Sequence, residues 1–167
     1  MSSVDREMLE EKIGEAIGLE LAAQKAVKEL TLKGLLPGHG LIKNKMEGMR
    51  KEANNHQTEM EDLVKKLSDS DGLDAVKIQE MAQETEQKAS KIMETYLGED
   101  PDSQEALEFL CLAEGAEVTH YEVLSAMTKG IKNKQFPTKV RSILKQEKKH
   151  LLLCTQLAKK NAVAPLK

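Results

Sequence analysis

Aromatic side chains are scarce in this 167-residue chain: Tyr96, Phe109, Tyr121 and Phe136 are present, and tryptophan is absent. Ala, Leu, Glu, Lys and Met dominate instead, a composition of strong helix formers that β-sheets seldom have, so the expected fold class is all-α. Cysteine is equally sparse. Cys111 and Cys154 lie too far apart for a CxxC redox or zinc motif and read as buried, reduced thiols. No stretch approaches the roughly eighteen apolar residues of a membrane span. The start, Met1-Ser-Ser-Val-Asp-Arg-Glu, also has no apolar run of signal-peptide type. The expectation is a cytoplasmic protein with no membrane partner. Excess positive charge is missing too. A formal charge of −3 and an isoelectric point near 5.9 give no reason to expect nucleic acid, whose binders concentrate positive charge on one face.

The length suits a single domain, residues 1–167, that buries its core without disulfides or structural metal. A first helix is expected from about Val4 to Gly34, with a stripe through Leu9, Ile13, Ile17, Ala23, Val27 and Leu30, stopped by Gly34 and Pro37-Gly38. A second runs from about Leu41 to Leu67 through Met49, Ala53, Met60 and Leu63 and ends in the polar run Ser68-Asp-Ser-Asp-Gly72. Residues 74 to 97 carry a helical pattern whose polar content marks an outer helix, closed by Gly98. The next helix starts at Asp102, which with Glu105 has capping-box spacing, and continues towards Ile131. The last starts at Phe136-Pro137-Thr138 and ends before Ala164-Pro165. Two long antiparallel hairpins joined by a crossover helix are the plan of a ferritin-like four-helix bundle rather than of an up-down-up-down one.

Acidic and histidine residues interrupt the stripes where a purely structural bundle would prefer Leu, Ile or Ala. They are Glu20, His56 with Glu59, Glu117 with His120, and Glu147 with His150. Residues three or four apart share a helix face, so Glu117/His120 and Glu147/His150 can each aim two ligands at one point, and His56/Glu59 has the same spacing reversed. Depth is the stronger signal. Glu20 lies about 17 residues before Pro37 and His56 about 19 after it, within about one helical turn in a straight hairpin. Around the turn near Lys134, Glu117, His120, Glu147 and His150 also fall at matched levels. Four carboxylates facing one interior repel and lose solvation unless cations neutralise them. Two divalent ions balance Glu20, Glu59, Glu117 and Glu147, and mixed carboxylate and imidazole ligation suits iron, with manganese as an alternative.

An isolated Glu or His on a helix is more often a surface residue at the edge of a stripe. His39 reads as a loop histidine, and Glu52 either as a further ligand or as part of a solvated face. Glu114 and Glu122 do not share the His120 face and are given at most a supporting role; Tyr121 reads as packing between helices.

The stretches Glu20-Leu-Ala-Ala-Gln-Lys, His56-Gln-Thr-Glu-Met-Glu, His120-Tyr-Glu-Val and Gln146-Glu-Lys-Lys-His150 resemble the YciE/YciF-type family of bacterial ferritin-like proteins, which is associated with stress. The resemblance covers most of the chain. It implies a ferritin-like fold, a dimeric assembly and a di-metal centre. The chain departs from that family at Thr119, where a Glu is usual, and at His150, where an acidic residue is usual. The second departure brings the last helix closer to the Glu-x-x-His pattern of rubrerythrins.

The function expected first is that of a di-iron protein, with two ions per chain, meeting oxygen or peroxide during stress. With no CxxC rubredoxin segment, redox turnover would need an external reductant. A metal-free helical bundle that holds a partner on the outer face of residues 74 to 97 is the alternative.

Overall fold

The computed structural model describes residues 2–37 and 40–164, and these contain five helices and no strand. They are α1 (Ser3–Leu32), α2 (Gly40–Asp71), α3 (Ala75–Leu97), α4 (Ser103–Ala126) and α5 (Gln135–Val163). Gly38, His39 and the tail from Pro165, to which the sequence assigns a stop, a loop and an end, lie outside the described residues. Among the described residues no helix is long and apolar enough to cross a membrane.

Local chemistry sets the helix starts. Ser2 and Asp5 form a capping box on α1, and Asp102 and Glu105 form the expected one on α4. Asp74 caps α3 by accepting the backbone N–H groups of Val76 and Lys77 at 3.0 and 3.2 Å. The helix ends differ from the sequence expectation in two places. The run Ser68-Asp-Ser-Asp71 belongs to α2 instead of breaking it. Ser68 Oγ donates to the Leu73 carbonyl at 2.6 Å, Ser70 Oγ to the Lys66 carbonyl at 2.9 Å, and Asp71 accepts the Lys132 and Asn133 N–H groups. With those polar groups satisfied, the break waits for Gly72, at φ +71°. Helix α4 stops at Ala126, short of Ile131, because the turn through Gly130, at φ +87°, takes up the remaining residues.

Helices α1, α2, α5 and α4 touch in that cyclic order, with no close backbone approach across either diagonal, while α3 lies outside against α1. Pairing shows the directions. Lys66 donates to Gln135 and Lys139 pairs with Glu59, so numbers fall on α2 as they rise on α5, and the two run antiparallel. Helices α1 and α3 run parallel: Glu10 accepts the Asp74 N–H at 2.8 Å, Gly14 faces Ile78 and Met81, and Gly18 faces Ala82 and Thr85.

Those two glycines make the α1–α3 approach possible. A Cβ at Gly14 would lie 2.6 Å from Met81 Cβ, and one at Gly18 would lie 2.5 Å from the Ala82 carbonyl oxygen. Backbone sits where a side chain would go, so the helices meet more closely than any larger residue permits.

The interior is two apolar clusters, not one. The first gathers Ile13, Ile17, Met60, Leu67, Leu124 and Phe136; the second gathers Val27, Leu30, Met49, Leu107, Leu110 and Leu157. Between them every helix of the ring turns polar.

Gly18→Ala is expected to destabilise the protein by roughly 1–3 kcal/mol in urea unfolding, as overpacking does. Gly48→Ala, on α2 with nothing within 4 Å of its added Cβ, should instead stabilise by roughly 0.5–1 kcal/mol. Equal effects of the two would refute the close approach.

Candidate metal centre

Each ring helix buries a stripe with alternating spacings of three and four, the seam of helices that pack nearly parallel or antiparallel. On α1 the stripe is Leu9, Ile13, Ala16, Glu20, Ala23, Val27 and Leu30; on α2 it is Met46, Met49, Ala53, His56, Met60, Leu63 and Leu67. On α4 it is Leu107, Leu110, Glu114, Glu117, Tyr121 and Leu124; on α5 it is Val140, Ile143, Glu147, His150, Cys154 and Leu157. Four carboxyl groups and two imidazoles therefore meet between the two apolar clusters. Glu20 and Glu147 are 0% exposed and His56 1%, figures otherwise typical of core Leu and Ile.

Two groups of three are close enough to share an ion: Glu20, His56 and Glu147, and Glu114, Glu147 and His150. Glu147 belongs to both. Its Oε1 lies 2.7 Å from His56 Nδ1 and its Oε2 lies 3.4 Å from His150 Nδ1. His56 Nδ1 also lies 3.2 Å from Glu20 Oε1, and His150 Nδ1 3.9 Å from Glu114 Oε2. The imidazole rings are stacked with centroids 6.0 Å apart.

The outward edge of each ring explains why the inward edge faces the carboxylates. His56 Nε2 meets the side-chain oxygen of Gln146, and His150 Nε2 lies 2.5 Å from Glu52 Oε2. Both partners are acceptors, so Nε2 carries the proton in each ring. Nδ1 then either holds a second proton or offers a lone pair to a cation. Tyr121, fully buried, donates its hydroxyl to Glu20 Oε1 at 2.9 Å.

Much of the remaining oxygen has no hydrogen-bond partner. Glu20 Oε2, Glu114 Oε2, Glu147 Oε2 and both oxygens of Glu117 are buried without a hydrogen-bond partner. Orphaned buried acceptors are rare in folded proteins and call for an explanation such as an ion. Burial, with the nearby Glu147 charge, holds the Glu20 carboxyl well above the usual carboxylate range. Burial and neighbouring carboxylates do the same at Glu114 and Glu117. Burial would raise Glu147 as well, but its contacts with His150 and His56 outweigh it and hold this one group ionised. Burial opposes charging the histidines, yet their contacts with Glu147 raise both. Protons, in short, neutralise the metal-free layer.

Five of the sequence-predicted site residues converge here: Glu20, His56, Glu117, Glu147 and His150. Two lie elsewhere. Glu59, one position off the α2 stripe, is partly exposed and pairs with Lys139 at 3.3 Å. His120, one position short of Tyr121 on α4, faces outward with Nε2 3.1 Å from Glu15 Oε2 and Nδ1 on the Ala116 carbonyl. Glu114 is the residue that sequence spacing undervalues: it does not share the His120 face, whereas the alternating stripe places it with Glu117 and Tyr121. Cys154 is buried one turn beyond His150, its thiol against Met49 Sδ at 3.8 Å, and Cys111 is partly buried; neither is in a disulfide. No family model, curated protein or solved structure matches the chain. The chemistry of the site therefore rests on its geometry.

Glu20, Glu114, Glu117, His56 and His150 all titrate higher in the folded chain than in the unfolded one. Over that range the folded state binds more protons, so the stability of the metal-free protein should fall as pH rises. Glu147, shifted the other way, matters only on the acid side. Thermal melts of chelator-treated protein from about pH 5 to about pH 8 should show a falling midpoint, and Glu117→Gln should flatten the slope. A midpoint that rises with pH would contradict the buried layer.

Proposed function

We propose that the polar layer is a carboxylate–histidine centre for two divalent metal ions, iron in the first instance and manganese as an alternative, within a ferritin-like bundle. The observation that carries this reading is Glu147, with one carboxylate oxygen in each of the two three-residue groups and an inward Nδ1 on either side. A carboxylate so shared stands where a ligand common to two ions would stand. The charge count supports it: Glu20, Glu114, Glu117 and Glu147 supply four negative charges when ionised, and two divalent ions supply four positive ones. Glu114 takes the place that the sequence reading gave to Glu59, so the sum is unchanged. The bundle is supported by the ring order of the helices and by the long parallel excursion of α3 between the two hairpins.

The donor set fits hard, oxygen-loving divalent metals better than soft ones, since oxygens outnumber nitrogens and no thiolate faces the layer. His56 and His150 would each bind through Nδ1, held in that tautomer by Gln146 and Glu52, in the manner of ligating histidines whose outer N–H is tied to an acceptor. Tyr121 fixes Glu20 Oε1, the oxygen beside His56, and the other Glu20 oxygen is buried with no hydrogen-bond partner and would be free for an ion. Iron in such a site would supply one-electron chemistry towards oxygen or peroxide. A role in stress, and dependence on an external reductant for turnover, follow from that reading and from the family resemblance.

Elemental analysis of iron-loaded protein should give about two ions per chain. Glu147→Ala should remove both, and Glu20→Ala and Glu114→Ala at least one each. Glu59→Ala and His120→Ala should retain the full complement. Loss of iron in the Glu59 and His120 variants, with retention in the Glu147 variant, would move the centre away from the layer.

A further inference from the structure

Glu114 of α4 and His150 of α5 meet at 3.9 Å across the seam between those two helices. The helices run antiparallel, since Gln104 reaches the Ala158 carbonyl and the Asn161 side chain near one end and Glu122 reaches Lys148 towards the other. One turn towards the Gln104 end therefore leads backwards along α4 and forwards along α5, and it arrives at a cysteine on both. Cys111 lies three residues before Glu114 and Cys154 four after His150. Those steps are rises of about 4.5 and about 6 Å, so the two cysteines sit at nearly one level. Contact agrees with that register: Thr155 Oγ1, next in sequence to Cys154, lies 3.9 Å from Cys111 Sγ. Cys154 belongs to the second apolar cluster, and Cys111 packs against the same cluster. Facing positions on helices whose axes are about 8–10 Å apart have Cα atoms roughly 4–6 Å apart, a span that a disulfide bridges.

We propose that Cys111 and Cys154 are a redox-active dithiol that reduces a hydroperoxide and closes to a disulfide between α4 and α5. Both cysteines are free in the structure. Burial pushes both thiols up, so at rest the pair is protonated and reduced. Cys111, only partly buried, meets the oxidant, whereas Cys154 is 0% exposed and out of its reach. Cys111 gives its proton to solvent and its sulfur attacks one peroxide oxygen. The O–O bond breaks, the departing oxygen takes up a proton and leaves as water or an alcohol, and Cys111 is left as a sulfenic acid. Cys154, whose thiol rests on Met49 Sδ at 3.8 Å, turns about its Cα–Cβ bond and attacks the Cys111 sulfur. The S–O bond breaks, and water departs with the Cys154 proton. Two thiols are thereby oxidised and one peroxide reduced, with no further reactant. A small uncharged oxidant suits the place, because the Glu108 charge is felt at Cys111 and disfavours an anionic one such as a glutathione-type disulfide.

The test uses the full chain treated with a chelator, so that its outcome is independent of the metal centre. The protein is exposed to hydrogen peroxide, quenched with catalase, and alkylated with iodoacetamide under denaturing conditions. Intact mass should then show a single chain lighter by two hydrogens with no alkylated thiol, and peptide mapping should place the bridge between Cys111 and Cys154. Dithiothreitol should return both thiols. Cys154→Ser should stop at a sulfenic acid on Cys111 that dimedone captures, and Cys111→Ser should slow the loss of the remaining thiol by about tenfold or more. The wild-type map needs no variant, so a substitution that impairs folding leaves the test intact. Two free thiols after peroxide would overturn the proposal, as would a bridge found only between chains. So would conversion of Cys111 to a sulfinic acid with Cys154 untouched.

Discussion

Four carboxyl groups and two imidazoles lie between two apolar clusters, and the rest of the fold is arranged to keep them there. Each such group taken from water into a low-dielectric interior carries a penalty of several kcal/mol unless it is paired or neutralised. Glu147 is the hinge of the arrangement, because it is grouped with both histidines and its charge acts on the three other acids. Unpartnered oxygens on Glu20, Glu114, Glu117 and Glu147 leave the layer short of positive charge. Protons can supply it one at a time, and divalent cations two at a time. A cation that bound the folded form alone would stabilise the chain by mass action.

The apolar clusters on either side give the layer its rigidity. Tyr121, Met60 and Ile17 close it from below and Met49, Leu110 and Cys154 from above, so the ligand-bearing turns cannot slide along the bundle without opening a cavity. Helices α2 and α5 come close at only a few residues. There the half-exposed Glu52 and the exposed Gln146 reach in to the outer nitrogens of His150 and His56. The same residues that orient the imidazoles thus stand between the layer and solvent.

The five helices were legible in the sequence to within a few residues at most ends, because their apolar periodicity and the glycine stops are strong local signals. The α2 end differs because its serine and aspartate side chains find backbone partners without ending the helix: Ser70 one turn back, Ser68 just past the end, and Asp71 in the turn before α5. Most of the centre was legible from depth along the two hairpins. The residues that fell outside it, Glu59 and His120, were chosen by three-residue spacing from a histidine or an acid, which fixes a face only loosely. The alternating three-and-four stripe discriminates more finely: it contains Glu114 and excludes Glu59 and His120 by a single position, about 100° around the helix. The α1–α3 approach left a sequence trace in Gly14 and Gly18, but which helix would fill it depends on tertiary packing that spacing does not encode.

Anomalous diffraction at the iron edge from crystals of iron-loaded protein measures directly whether a metal binds in the layer. Two anomalous peaks are predicted inside the bundle, one beside His56 and Glu20 and the other beside His150 and Glu114, with Glu147 between them. Peaks confined to the surface, at Glu15 and His120 or at Glu59, with none in the layer, would contradict it.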